Sequence, residues 1–372
     1  MSAPFGAAVI GTGSIANAHL YTYQHSERAD LVAVADIDEA RAKDAATRFE
    51  VARTYTDYRE VLAADDIDVV SVCTPPFLHV EMCVAALEAG KHVLCEKPIA
   101  PTLAGLDEIA AAEVASRAAC GGVFQLRYGR GALQVRRLLD EGHFGRLHLG
   151  VAETLWFRDH PYYEEVPWRG TWLNECGGVT VSQAVHLIDA LVWFLGEPVS
   201  VFAQGGTFRT RTEIDDTTVA VIRFLNGAIG QVTSTVSSFG QERARLEVYG
   251  TDLTAISQGT QYDATSELFA LGSPVAGEAE ALQERSEAET PTTSRLLHRA
   301  AIEDFLAALQ AGEPPRVGLA ECRTALQVTA AIYKSAMTGV PVTLPLSRDD
   351  PFYSALPPDG CALPPVGERE AV

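Results

Sequence analysis

Basic charge is what this sequence has least of. Lys and Arg number 29 against 49 Asp and Glu in 372 residues, a formal balance of −20. A surface that acidic repels phosphate backbones and anionic lipid alike, so neither a nucleic acid nor a membrane surface is expected as a partner. No run reaches the roughly 18 consecutive apolar residues of a spanning helix. The opening MSAPFGAAVIGTG has no basic flank and passes straight into a strand-like run, so no signal peptide is expected. The seven cysteines are odd in number, scattered, and never in a CxxC or CxxH pair. That points to a reduced, cytoplasmic chain without a structural metal site. What remains, 47% apolar and 21% charged, is ordinary globular composition, and the length exceeds what one core organises, so two domains are expected.

From Phe5 to Phe124 short β-rich runs alternate with helical ones. Phe5–Ile10, Leu31–Ala35, Val69–Cys73, His92–Cys95 and Gly122–Phe124 read as strands. Ser14–Gln24, Asp38–Phe49, Val80–Ala89 and Leu103–Ala119 read as helices. Near-continuous apolar strands alternating with helices predict a doubly wound parallel α/β sheet covered on both faces. Beyond about residue 145 long strand-like runs follow with few helices between them: Leu147–Phe157, Val199–Thr207, Thr217–Leu225, Ala228–Ser237 and Arg243–Tyr249. Asn226-Gly227 is the strongest short hairpin signal in the chain. This half predicts an open, mostly antiparallel α+β domain. One helical block, Leu173 or Val179 to Leu195, interrupts it, a solvated loop is expected over Gly272–Thr293, and helices Arg295–Ala311 and Leu319–Thr338 close it. The expected domains are 1–124, 125–345 (with a C-terminal helix packing back on the first) and a tail, 346–372.

The first strand ends in Gly11-Thr12-Gly13-Ser14-Ile15-Ala16 and opens a helix. Gly11 permits the tight turn, Gly13 lets backbone approach a pyrophosphate, and Ala16 lets helix and strand pack closely. Backbone N–H groups at Ser14 and Ile15 then point at the anion. Asp36 ends the second strand, where a carboxylate accepts a ribose diol and repels a 2′-phosphate. NAD is therefore expected over NADP, with Arg41 nearby to soften the preference. Glu96-Lys97-Pro98 falls beyond the end of a later strand, where ligands of such sheets bind, and proline holds Lys97 extended. Whether the Lys97–Pro98 bond is cis or trans is left open. Thr74-Pro75-Pro76 occupies the equivalent place after the preceding strand, with His79 as lining.

In the helical block, Ser182, His186 and Asp189 fall in one arc at 100° per residue, with Gln183 at its edge and apolar residues around the rest. A buried polar stripe must be satisfied. It is either an internal network in which Asp189 holds His186, or the wall of a cleft. In the second case His186 suits general-base work on a hydroxyl, since imidazole ordinarily titrates near pH ~6.5.

Ahead of this block, Trp156, Arg158, Tyr163, Trp168, Arg169 and Trp172 concentrate aromatics and arginines, including three of the chain's four tryptophans. Such a group either packs a domain junction or forms a pocket wall that stacks on sugar C–H faces and contacts hydroxyls or carboxylates. Arg127 and Tyr128 are further candidate lining.

The chain resembles the glucose–fructose oxidoreductase / inositol dehydrogenase / rhizopine-catabolism (Gfo/Idh/MocA) family. The resemblance lies in AVIGTGSIA, VADIDEARA, CTPPFLH, AGKHVLCEKPIA, CGGVTVSQAVHLIDALVWFLG, AIEDFLAAL and AIYKSAMTG. It implies a Rossmann domain, a C-terminal α+β domain whose open sheet joins copies into a dimer or tetramer, and nicotinamide-dependent chemistry on a sugar, cyclitol or polyol. By that likeness Lys97 and His186 are the catalytic pair, with Asp189 in the matching HxxD. The sequence departs from the family where Cys176 stands for a first glycine and Ser182 for an Asp. The expected roles are therefore a Lys97–His186 pair with Ser182 and Gln183 holding substrate, and hydride transfer between a hydroxyl and the cofactor. Two competitors are redox-assisted glycoside cleavage and a dinucleotide-sensing regulator without chemistry.

Overall fold

The computed structural model describes residues 3–240, 242–259, 269–282 and 294–364. The chain begins β1 (Phe5–Ile10), α1 (Ala16–Gln24), β2 (Ala29–Ala35), α2 (Glu39–Arg48), β3 (Arg53–Tyr55), α3 (Tyr58–Leu62), β4 (Val69–Val72), α4 (His79–Glu88), β5 (His92–Cys95), α5 (Leu103–Ser116) and β6 (Cys120–Gly122). It continues with α6 (Arg130–Asp140), β7 (Leu147–Leu155), α7 (His160–Glu164), α8 (Trp172–Glu175), α9 (Val179–Ser182), α10 (Val185–Leu195), β8 (Pro198–Gly206), β9 (Thr217–Phe224), β10 (Ile229–Thr235), β11 (Arg243–Gly250) and β12 (Thr254–Gly259). It closes with β13 (Ala270–Gly272), α11 (Glu278–Leu282), α12 (Ser294–Ala311), α13 (Leu319–Thr338), β14 (Val342–Thr343) and α14 (Pro351–Ser354). Two compact units result: residues 1–124 with 298–323, and residues 125–297 with 324–372.

The N-terminal unit is a six-stranded parallel sheet in the order β3-β2-β1-β4-β5-β6. Every residue of β4 is buried, as are all but the first of β1 and β5, because helices cover both faces. Val9, Leu20, Tyr23, Val34, Val69, Leu94 and Val123 share one core with Ile302, Phe305 and Leu306 of α12. The strand order reverses between β1 and β4, so the carboxyl ends there open the crevice where such sheets bind ligands.

The C-terminal unit is an eight-stranded sheet, β13-β12-β11-β7-β10-β9-β8-β14, antiparallel except for the β7–β10 pair. The predicted turn is present. Gly227 takes a positive φ of 89°, and Asn226 Oδ1 accepts the Ala228 N–H at 3.0 Å. Strands β12, β13 and β14 were not legible, being short and weakly alternating. One sheet face is covered by α10, which lies close because Gly150 sits beneath it; a Cβ there would come within 2.4 Å of Leu195. On the other face Phe202, Val219, Val221 and Ile229 are exposed. Of the loop expected over Gly272–Thr293, α11 is helical, while 283–293 lie outside the described residues.

The predicted continuous helix up to Leu195 is corrected. Three short helices replace it, and the α8–α9 stretch meets α10 at 54°. The break falls at Gln183, whose φ −123° and ψ −56° leave the helical region, while the Ser182 hydroxyl bonds back to the Gly178 carbonyl at 2.7 Å. Serine so placed competes with the backbone ladder and bends a helix. Only His186 and Asp189 therefore share a helical face; Ser182 belongs to a different segment.

Candidate active site

In the N-terminal unit, the residues singled out for the cofactor lie in the loops past the strands' carboxyl ends or, for Ala16 and His79, at the start of the helix that follows. Gly11 has φ +87°, and a Cβ on it would press within 2.9 Å of the Cys73 carbonyl, so only glycine makes this turn. Gly13 is exposed, and a Cβ there would meet nothing within 4 Å, which leaves the backbone open to a large anion. Ser14 is exposed and Ile15 half-buried beside it, ahead of Ala16 at the start of α1, whose first turn carries no acidic residue. Asp36 accepts the Thr12 N–H and hydroxyl on Oδ2, both at 2.8 Å, and the Asp38 N–H on Oδ1 at 3.0 Å. Its carboxylate is thus held rigidly at the end of β2 and remains half-exposed. Arg41 is exposed and lies 3.5 Å from Asp38. These features fit a dinucleotide: an uncrowded helix N-terminus for the pyrophosphate and a fixed carboxylate for a ribose diol.

The loops after β4 and β5 are tied together. His79 is fully buried, with Nδ1 2.7 Å from the Pro98 carbonyl and Nε2 2.8 Å from the Thr74 carbonyl. Burial pushes its pKa down, against the pull of the two carbonyls. It thus fastens the Thr74-Pro75 loop to the Lys97-Pro98 loop, and the bond between Lys97 and Pro98 is cis. Lys97 itself is half-buried.

Glu96 is 5% exposed and turns inward. His19 Nε2 lies 3.1 Å from its Oε1, His298 Nε2 3.7 Å from the same oxygen, and the Lys97 N–H donates to Oε2 at 3.2 Å. Burial raises this carboxyl's pKa, but the His19 hydrogen bond and the charges of His298, His19 and Lys97 outweigh it and hold it at about 2. His19 continues the chain to Ser71 at 2.8 Å, and Tyr23 reaches the same hydroxyl at 2.7 Å. The sequence reading missed His19 and His298. His19 sits three residues into α1 on its buried side, which was the available signal.

In the C-terminal unit, Asp189 is paired with Arg127. Its two oxygens take a bidentate pair from Arg127, Nε to Oδ2 and Nη2 to Oδ1, each at 2.7 Å. The two side chains are 5% and 2% exposed, and the Arg127 guanidinium lies 5.2 Å from the Trp193 ring centre. This pair braces the short helical turn holding Arg127 and Tyr128 against α10. His186 stays half-buried on α10, one turn ahead of Asp189.

The aromatic–arginine group is largely one cluster. The Arg169 guanidinium stacks 3.8 Å from the Tyr162 ring centre and 5.3 Å from that of Trp168, and Arg158 lies over Tyr162 and the buried Trp156 at 5.2 and 5.4 Å. Tyr163 packs edge-on against Tyr162. Tyr162 joins the cluster to Gln183, whose Nε2 donates to its hydroxyl at 3.0 Å, while Ser182 donates to Gln183 Oε1 at 2.5 Å. Trp172 stands apart: it packs edge-on against Tyr333 and lines a separate cavity of about 370 Å³ with Thr207, Glu213 and Pro357.

Beneath the cluster the backbone is pinned by Asp215, another residue not singled out from sequence. It is 1% exposed and accepts from the Gly178 and Thr180 N–H groups and the Thr180, Thr218 and Tyr333 hydroxyls at 2.7–3.2 Å. Gly178 has no room for a side chain, since a Cβ would fall 1.9 Å from the Asp215 carbonyl oxygen. Cys176 adopts φ +63°, the left-handed conformation that glycine takes freely.

Residues 5–121 match the oxidoreductase family with an NAD-binding Rossmann fold, and residues 132–256 match the GFO/IDH/MocA C-terminal domain. Myo-inositol 2-dehydrogenase of Thermotoga maritima is 27% identical over 65% of this chain and 72% of its own. D-glucoside 3-dehydrogenase of Escherichia coli is 27% identical over 92% of this chain and 98% of its own. Among solved structures, the WlbA dehydrogenase of Bordetella pertussis, in complex with NADH and UDP-GlcNAcA, superposes with a TM-score of 0.81 at 26% identity, covering 92% of this chain and all of that one.

Proposed function

Because this chain belongs to the Gfo/Idh/MocA family of oxidoreductases and carries its NAD-binding Rossmann domain, we propose that it transfers a hydride between a secondary hydroxyl of a sugar, cyclitol or sugar derivative and nicotinamide. The observation that carries this reading is the glycine turn, the fixed Asp36 and the anchored Lys97 gathered at the carboxyl ends of one parallel sheet. The relatives named for myo-inositol and for D-glucosides support a substrate among polyols and sugars.

The residues from Gly11 to Ala16 would hold the pyrophosphate of NAD, Asp36 its adenosine ribose, and Thr74, Pro75 and Glu96 the nicotinamide end, with His79 bracing the lining. When bound, nicotinamide supplies the hydride acceptor. The chain's own work is orientation and proton handling. Lys97 Nζ donates a hydrogen bond to the substrate hydroxyl, and His186 takes its proton as the carbinol is oxidised; the same proton returns in reduction. Ser182, Gln183 and the cluster of Trp156, Arg158, Tyr163, Trp168 and Arg169 orient the remaining hydroxyls. Arg127, Tyr128 and Asp189 support that wall, whereas Trp172, packed on Tyr333 at a separate cavity, takes no part in it. Glu96 fixes Lys97 from behind, through the Lys97 N–H. The exposed apolar stripe of Phe202, Val219, Val221 and Ile229 suits a contact between copies of the chain, and we place the enzyme in the cytoplasm as a dimer or tetramer.

A panel of inositols, D-glucosides and sugar acids, followed by NADH absorbance at ~340 nm, tests this reading. Net NADH formation with at least one of them is the expected result. Release of a sugar without net NADH would replace it by glycoside cleavage, and NAD binding without any turnover would replace it by a sensing role.

A further inference from the structure

Glu175, the last residue of α8, is 1% exposed and was invisible to the motif reading. Its Oε2 accepts the Gly170 N–H at 2.7 Å, while its Oε1 is buried with no hydrogen-bond partner among the described residues. The groups facing it are Arg169 on one side, Asp215, Tyr162, Tyr163 and Cys176 around it, and the Ser182 hydroxyl. Burial is the largest influence on it, and Asp215 adds to that in the same direction. Burial pushes its carboxyl up to about 7, against the pull of the Gly170 N–H, Arg169 and Ser182.

The consequence lies in Ser182, which has one hydroxyl proton and several oxygens in reach. The Gly178 carbonyl is at 2.7 Å and Gln183 Oε1 at 2.5 Å, with the Glu175 carboxyl close by. A neutral Glu175 carries its own O–H, so it can donate to Ser182 and leave the serine proton for Gln183. An ionised Glu175 accepts only, and draws that proton to itself. Gln183 Oε1 then faces the serine oxygen lone pair to lone pair at hydrogen-bond distance, and its amide loses the hold that sets Nε2 on Tyr162.

We propose that Glu175 is a positioning residue for the substrate: it aims the Ser182 proton, and thereby decides whether Gln183 and Tyr162 are held ready to receive a substrate hydroxyl. The proposal rests on the reading of Ser182 and Gln183 as substrate-holding groups. It deepens that reading by making polyol affinity, rather than hydride transfer, respond to pH.

The test has two arms on the full-length protein. Infrared difference spectra of wild type minus Glu175→Gln, without substrate, should show one protonated carboxyl band in mildly acidic solution that disappears as pH rises through neutrality. Steady-state kinetics with the best polyol of the panel should show KM rising about tenfold over the same range, the loss of one well-made hydrogen bond, with kcat moving less. Glu175→Gln, which keeps an N–H donor facing Ser182, should hold KM near its acidic value throughout, whereas Glu175→Ala should raise it at every pH. A carboxyl already ionised in mild acid, or a Glu175→Gln enzyme with the wild-type KM inflection, overturns the proposal. If no polyol is turned over, the dehydrogenase reading fails by itself and the infrared arm still decides the charge state of Glu175.

Discussion

Two glutamates, Glu96 and Glu175, are buried to a similar depth in the two units, and their carboxyl pKa values are moved in opposite directions. Glu96, 5% exposed, is held at about 2, and Glu175, 1% exposed, is pushed up to about 7. Depth therefore does not decide the outcome; the partners do. Glu96 meets two imidazoles, its neighbour's backbone N–H and the charge of Lys97, so its anion is better served inside than its acid. Glu175 meets one backbone N–H, the Arg169 cation and the Ser182 hydroxyl, with Asp215 opposing them, and together these do not make good its burial, so its pKa rises. The N-terminal centre is built to keep a charge in place beneath Lys97, and the C-terminal one to carry a proton.

Breaking the N-terminal centre at its tip should have the largest effect. Lys97→Ala is expected to lower kcat by about 10²- to 10⁴-fold while NAD affinity, read by fluorescence titration, stays near wild type. Removing the carboxylate behind it, by Glu96→Ala, leaves His19 and His298 facing a void and should cost about 3 kcal/mol in urea unfolding at neutral pH. Glu96 binds its proton less readily folded than unfolded. Its stabilisation is therefore present above pH about 4.5 and fades as pH falls toward about 2, so wild type and variant should converge in acid.

The C-terminal centre should show the opposite slope. Glu175 holds its proton more readily folded than unfolded, so its contribution is full below about 4.5 and is lost as pH rises through about 7. Glu175→Gln should match wild type in acid and exceed it by up to about 3 kcal/mol in mild alkali, measured by unfolding at a series of pH values. A variant that gains stability in acid instead would reverse the comparison. The smallest effect is expected at Cys176→Gly, which relieves a left-handed residue but gives up a buried thiol and should change stability by less than about 1 kcal/mol.

The N-terminal unit was the more legible of the two. Parallel strands buried on both faces leave unbroken apolar runs such as Val69–Val72, and a glycine turn followed by an acidic strand end is a local pattern read directly from sequence. The short β3 and α3 escaped there, as did His19 and His298, whose meeting with Glu96 depends on contacts between residues far apart in the chain. In the C-terminal unit the apolar periodicity from Val179 to Leu195 concealed a break, since Ser182 bonding back to Gly178 leaves no mark in a hydrophobic pattern. The arc of Ser182, His186 and Asp189 held only for the last two. Asp189 found its partner in Arg127, a residue the sequence had marked for the same wall without indicating the pairing. Glu175 carried no signal at all: a lone acid before a glycine pair reads as a surface cap until its burial is seen.

The most direct measurement of the whole account is the fate of a single label. A polyol that is turned over should be prepared with deuterium on the carbinol carbon and incubated with the enzyme and NAD, and the nicotinamide product examined by mass spectrometry. Deuterium carried on the reduced ring, one atom per turnover, is the predicted result; product formed while the label passes to solvent would contradict direct hydride transfer and the roles given to Lys97 and His186.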